Sequence, residues 1–164
     1  IGPAGTALVI VREDVLKGAP ADLPSMLKYK SFSESNSLYN TPSCFTIYAI
    51  NLVLKWLEET MGGVAAMDKI NREKAGLVYG VIDRSGFYRG TAEKDSRSLM
   101  NLTFRLQSED LEAKFVAEAK KAGLDGLKGH RSVGGCRASI YNAVGLDSVK
   151  ALVDFMNDFE KRQG

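Results

Sequence analysis

At 164 residues, 45% of them hydrophobic, the chain is long enough to bury a sizeable core, and length alone suggests one domain. Its net charge of +2 excludes a nucleic-acid or membrane surface that works by field strength, although small anions remain open. Two distant cysteines, Cys44 and Cys136, and a single histidine exclude a disulfide scaffold and a four-ligand zinc site, and they suit a reducing compartment.

The opening at Ile1, without an initiating methionine, predicts a start inside a longer sequence. Ala7–Val11 is a short continuous apolar run, the pattern of a strand covered on both faces of a parallel sheet, so its neighbours are expected before Ile1. Gly18 to Ser37 is polar and broken by Pro20 and Pro24, and reads as irregular connection. From about Ser43 to Thr60 the spacing predicts a helix that is apolar around nearly its whole circumference and therefore largely buried. Asn51, Lys55, Glu58 and Glu59 argue against a membrane span there. Pro42 suits a first-turn position, and Thr41 is placed to cap.

Gly62-Gly63 is the candidate boundary. A helix to about Asp83 follows, carrying Val64, Met67, Ile70, Leu77, Val78 and Val81, then an extended piece at Phe87-Tyr88. Met100, Leu102, Phe104 and Leu106 alternate with polar residues, which predicts a strand with one wet face. Ser108 caps the next helix, Glu109 and Asp110 favour its first turn, and Gly123 ends it. Strands near Leu124–Lys128 and Arg137–Asn142 flank a glycine turn, and a last helix carries Val149, Leu152, Val153, Met156 and Phe159. The order α-β-β-α-β-β-α suits an α/β domain with an antiparallel sheet backed by helices. The chain thus divides at about 1–61 and 62–164.

The chemistry concentrates between Gly129 and Ala143. His130 is the lone histidine, Arg131 and Arg137 lie six positions apart, and Gly129, Gly134 and Gly135 allow the backbone to approach a ligand closely. Guanidinium groups bind carboxylates or phosphates through paired charge-assisted hydrogen bonds. A plain hairpin with surface arginines fits the same spacing. Cys136 and His130 share strand parity, but no third orienting group supports a thiol nucleophile, and the glycines lack the strand and helix context of a dinucleotide loop. Asn40 and Thr41 precede a helix, where free N–H groups receive either phosphate or an ordinary cap.

Gly129–Ala143, Leu38-Tyr39-Asn40-Thr41-Pro42 and Ile1-Gly2-Pro3-Ala4-Gly5 resemble segments of the phosphoserine aminotransferase family, and the similarity runs through nearly the whole chain. These are class-V, fold-type-I enzymes that use pyridoxal 5'-phosphate. In that family the Ile-Gly-Pro-Ala-Gly run follows the lysine that carries the cofactor. The resemblance therefore implies a C-terminal portion, with no catalytic lysine in this chain. Residues 1–61 would end the large cofactor-binding domain, and 62–164 would be the small C-terminal domain of a homodimer.

By the same resemblance, Arg137 binds the substrate α-carboxylate. His130 and Arg131 serve the distal anion at the neighbouring subunit's site, and Asn40 and Thr41 contact the cofactor phosphate across the dimer. The implied reaction belongs to L-serine biosynthesis. It exchanges an amino group between phosphoserine and 2-oxoglutarate, giving 3-phosphohydroxypyruvate and glutamate in the cytoplasm, with no nucleic acid, membrane or metal involved. The alternative is a non-enzymatic module that binds small anions or a partner through 62–164. A single-stranded nucleic-acid sheet would need a clustered basic and aromatic face, which is lacking.

Overall fold

The computed structural model describes residues 1–164 and divides them into two compact units, Ile1–Met61 and Gly62–Gly164. No helix is long and apolar enough to cross a membrane.

The first unit holds two short helices, α1 (Glu13–Gly18) and α2 (Tyr29–Glu34), with a single 3-10 turn at Ser25–Leu27 between them. They occupy part of the stretch expected to be irregular. Helix α3 (Cys44–Lys55) continues into a π-helical turn, Trp56–Thr60, so the predicted helix is present over nearly its full length. Its burial is not. Within the unit only Thr46 of α3 is buried, and Phe45 is 75% exposed. Two helices of six residues each offer too little apolar surface to cover it.

Ala7–Val11 forms no strand, with Leu8 80% and Ile10 92% exposed. An extended segment becomes a strand only when another backbone takes its N–H and C=O groups, and none does so here. The α3 N-cap is Ser43, not Thr41, and its hydroxyl pairs with the Thr46 hydroxyl rather than with a helix N–H. Thr41 and Pro42 therefore both lie before the helix, and Pro42 is not in its first turn.

In the second unit α4 (Gly63–Arg84) has Gly62 at its N-cap and Gly63 as its first residue, at φ 79° and 86°. Strands β1 (Arg89–Gly90), β2 (Asn101–Arg105) and β3 (Cys136–Ser139) form one antiparallel sheet in the order β1-β2-β3. Thr103 stands opposite Arg137 and Phe104 opposite Cys136. Helix α5 (Glu109–Lys121) lies between β2 and β3 in sequence, and α6 (Leu146–Gln163) ends the chain. The expected antiparallel sheet backed by helices is observed.

Alternation in β2 buries Leu102 and Phe104 and turns Asn101, Thr103 and Arg105 to the other face. In β3, Cys136 and Ala138 are buried while Arg137 and Ser139 share the outer side. Beneath the sheet Tyr88, Phe104, Phe115 and Phe159 form an edge-to-face aromatic cluster, with Phe104 and Phe115 centroids 5.7 Å apart. Each such buried ring contributes about 1.5–3 kcal/mol by area alone. The Tyr88 hydroxyl donates to the Met156 carbonyl at 2.9 Å, which satisfies its polar end.

Ser108 accepts from the Leu111 N–H at 3.2 Å, and Gly123 at φ 85° follows the last turn, so both ends of α5 are as expected. Three boundaries differ. Phe87 and Tyr88 are buried just before β1 instead of forming it. The strand expected over Leu124–Lys128 reduces to a bridge between Lys128 and Cys136, because Gly123 and Gly126, at φ 85° and 78°, break the extended run. The strand after the turn ends at Ser139, because the Lys74 ammonium takes the carbonyls of Ile140, Tyr141 and Val144 at 3.2, 2.8 and 3.0 Å.

The two cysteines differ sharply. Cys44 is exposed, whereas Cys136 is 1% exposed and burial pushes its thiol from 9.0 up to about 12. A thiol reagent should therefore modify one equivalent rapidly in native protein and the second only on unfolding. A folded value above the unfolded one means that the neutral thiol's contribution is complete below pH 9.0 and is lost as pH rises through about 12. The stability advantage of wild type over Cys136→Ala, measured by urea denaturation, should shrink across that window. A gap independent of pH would contradict the burial.

Candidate anion-binding site

The glycine segment folds as a hairpin. Arg137 N–H donates to the Leu127 carbonyl and Gly129 N–H to the Gly135 carbonyl, both at 2.8 Å. Val133 and Gly134 N–H groups close the turn on the His130 carbonyl at 2.9 and 2.8 Å. At Gly129 a Cβ would stand 2.1 Å from the Gly134 oxygen, so only glycine fits. Gly134 and Gly135 adopt φ 75° and 74°, a region that side chains disfavour.

This hairpin presents His130 and Arg131 exposed at its tip and Arg137 half-buried at its base. The His130 Nδ1 lies 2.7 Å from the Ser132 hydroxyl and accepts the Ser132 N–H at 3.3 Å. Arg131 and Arg137 make no ion pair, whereas Arg97 is held by Asp83 at 2.7 Å and Arg105 by Glu112 at 3.3 Å. The Arg137 Nε is buried and has no hydrogen-bond partner. A guanidinium without a carboxylate, flanked by Thr103 on the polar face of a sheet, is suited to an incoming anion.

Neighbouring groups on that face are already satisfied among themselves. Asn101 accepts from Ser139 and Tyr141 at 3.0 and 3.3 Å. Asn40 and Thr41 belong to the first unit, where both are exposed. The Asn40 amide donates only to the Thr41 carbonyl, at 3.4 Å, which leaves neutral donors available. The thiol-nucleophile arrangement does not exist: Cys136 is buried, its ionisation is suppressed, and His130 points to solvent.

Three supporting residues escape a reading by residue type. Lys74 is wholly buried, Glu112 is 7% exposed, and Arg105 turns beneath the glycine turn. For Lys74 a signal existed, since it falls on the helical stripe Met67, Asn71, Lys74, Val78 and Val81.

Comparison with known proteins shows the family. The phosphoserine aminotransferase of Desulfosudis oleivorans is 66% identical over 164 residues, which are all of this chain and 45% of that protein. A phosphoserine aminotransferase structure from a study of radiation damage to its Schiff base superposes with a TM-score of 0.89 at 51% identity, covering 98% of this chain and 45% of that one. The pyridoxal-phosphate-bound enzyme of Trichomonas vaginalis gives 0.79 at 40% identity, over 90% of this chain and 42% of that one. The chain thus spans about half the length of the relatives it matches. Since the family model described as aminotransferase class-V matches residues 1–152, through both units and the whole hairpin, this chain belongs to the class-V aminotransferase family.

Proposed function

We propose that this chain is the C-terminal portion of a pyridoxal-phosphate-dependent phosphoserine:2-oxoglutarate transaminase of L-serine biosynthesis. The carrying observation is the unpaired Arg137, with its buried and unpartnered Nε, on the same hairpin as His130 and Arg131. Both amino-acid substrates share an α-carboxylate and carry a second anion farther out. Arg137 holds the first, because a rigid fork fixes the orientation of the Cα–H bond better than an ammonium would. His130 and Arg131 hold the second, phosphate in phosphoserine or the side-chain carboxylate in glutamate, at the neighbouring subunit's site in a cytoplasmic homodimer.

The cofactor's phosphate fits Asn40 and Thr41, whose exposed neutral donors have no stronger partner in the chain. When bound, pyridoxal phosphate supplies the electron sink for the amino-group exchange. No lysine of this chain is given the Schiff-base role. In this reading the first unit closes the large cofactor-binding domain and the second is the small C-terminal domain. The test is a coupled assay of the family-length protein with phosphoserine and 2-oxoglutarate, following glutamate formation together with visible cofactor absorbance. Bound cofactor with turnover supports the reading. Phosphate binding without either would leave an anion-binding module and overturn it.

A further inference from the structure

The hairpin's internal hydrogen bonds set the shape of its turn but not its tilt on the sheet; tilt depends on what lies beneath. The β2–β3 register ends at the Phe104–Cys136 pair, and Arg105 and Gly135 are the next residues of each chain segment. The three atoms nearest a Cβ at Gly134 all belong to Arg105, with Nη1 at 2.8 Å, and a Cβ at Gly135 would meet Arg105 Cδ at 2.7 Å. Both glycines therefore admit this one side chain under the turn.

Arg105 is itself anchored. Its Nη1 donates to Glu112 Oε2 at 3.3 Å, and Glu112 Oε1 accepts the Leu106 N–H at 3.3 Å, which ties the pair to the end of β2 and the first turn of α5. Glu112 is buried, so the pair is poorly screened.

We infer that Arg105 is a positioning residue for the distal-anion contacts, supporting from beneath the glycine turn that carries His130 and Arg131. This rests on the transaminase reading. The guanidinium acts by shape as well as charge: a flat group can lie under a glycine peptide, where an ammonium would not fill the same space. Arg105 itself is occupied by Glu112 and the turn, so it contributes through the two residues above it.

The experiment compares Arg105→Met and Arg105→Lys with the unaltered family-length enzyme. Displacing a binding loop without touching the α-carboxylate contact should raise KM for phosphoserine about tenfold while kcat changes by less than about twofold. Arg105→Lys keeps a charge facing Glu112 but loses the flat fork, and should still raise KM several-fold. The His130 ring signal, identified by its loss in His130→Gln, should move toward that of an unstructured histidine in both variants while β3 amide signals stay in place. A parental KM, or an unmoved His130 signal, in a folded variant overturns the inference. If Arg105→Met does not fold, Arg105→Lys decides by the same criteria. Absence of phosphoserine turnover in the unaltered enzyme would instead sink the transaminase reading, a failure visible before any variant is made.

Discussion

Arg137→Lys should lower kcat/KM for phosphoserine and glutamate together, by about 2 kcal/mol or more, on the order of thirtyfold and upward. In the proposed family-length transaminase both amino acids carry the same α-carboxylate and differ beyond the β-carbon, so a group that grips that carboxylate affects both. Lysine keeps the positive charge, but it replaces a fork that offers two parallel donors with a rotatable point charge. The strand itself should survive: Arg137 lies on the outer side of β3, and its backbone pairing with β2 does not depend on the head group. Melting temperature separates the two effects. Unchanged kinetics with both substrates, in a variant that melts with the parent, would remove Arg137 from the site. A loss confined to phosphoserine would reassign it to the distal anion.

Lys74→Met should destabilise the second unit by about 3 kcal/mol, which for a unit of this size lowers its melting temperature by on the order of 15 °C. Lys74 is fully buried, it faces no carboxylate in an ion pair, and burial lowers its pKa. Its ammonium donates to the carbonyls of Ile140, Tyr141 and Val144, and one helical turn away the Asn71 amide donates to Asn142 at 2.8 Å. Together they hold the segment that leaves β3 just after Arg137. Methionine fills much of the volume but leaves three carbonyls without this donor, and an unmet buried acceptor costs more than the bond contributes when made. Thermal unfolding followed by near-ultraviolet circular dichroism checks this. A shift of only a degree or two would show that water or a rearranged loop satisfies those carbonyls.

Local patterns in the sequence were enough where the physics is local. The alternation through Leu102 and Phe104 identified β2 and its wet face, because side chains change face at every residue of a strand. Ser108 and Gly123 marked the ends of α5, since capping and positive φ depend on the adjacent few residues. The Gly129–Gly135 turn was legible as well, because its glycines adopt positive φ or leave no room for a Cβ.

Tertiary structure alone decided the rest. Ala7–Val11 has a strand's composition and no strand, because composition cannot supply a hydrogen-bonding partner. Helix α3 is apolar yet exposed within its unit, because burial requires a second surface. Residue type alone does not single out Arg105, Glu112 or Lys74. Arg105 acquires its place from the β2–β3 register, Glu112 from the end of β2, and Lys74 from carbonyls about 70 residues downstream. Helical spacing can place Lys74 on the buried side of α4, but only the folded chain shows that three acceptors converge there, since long-range polar satisfaction is set by packing rather than by any run of neighbouring residues.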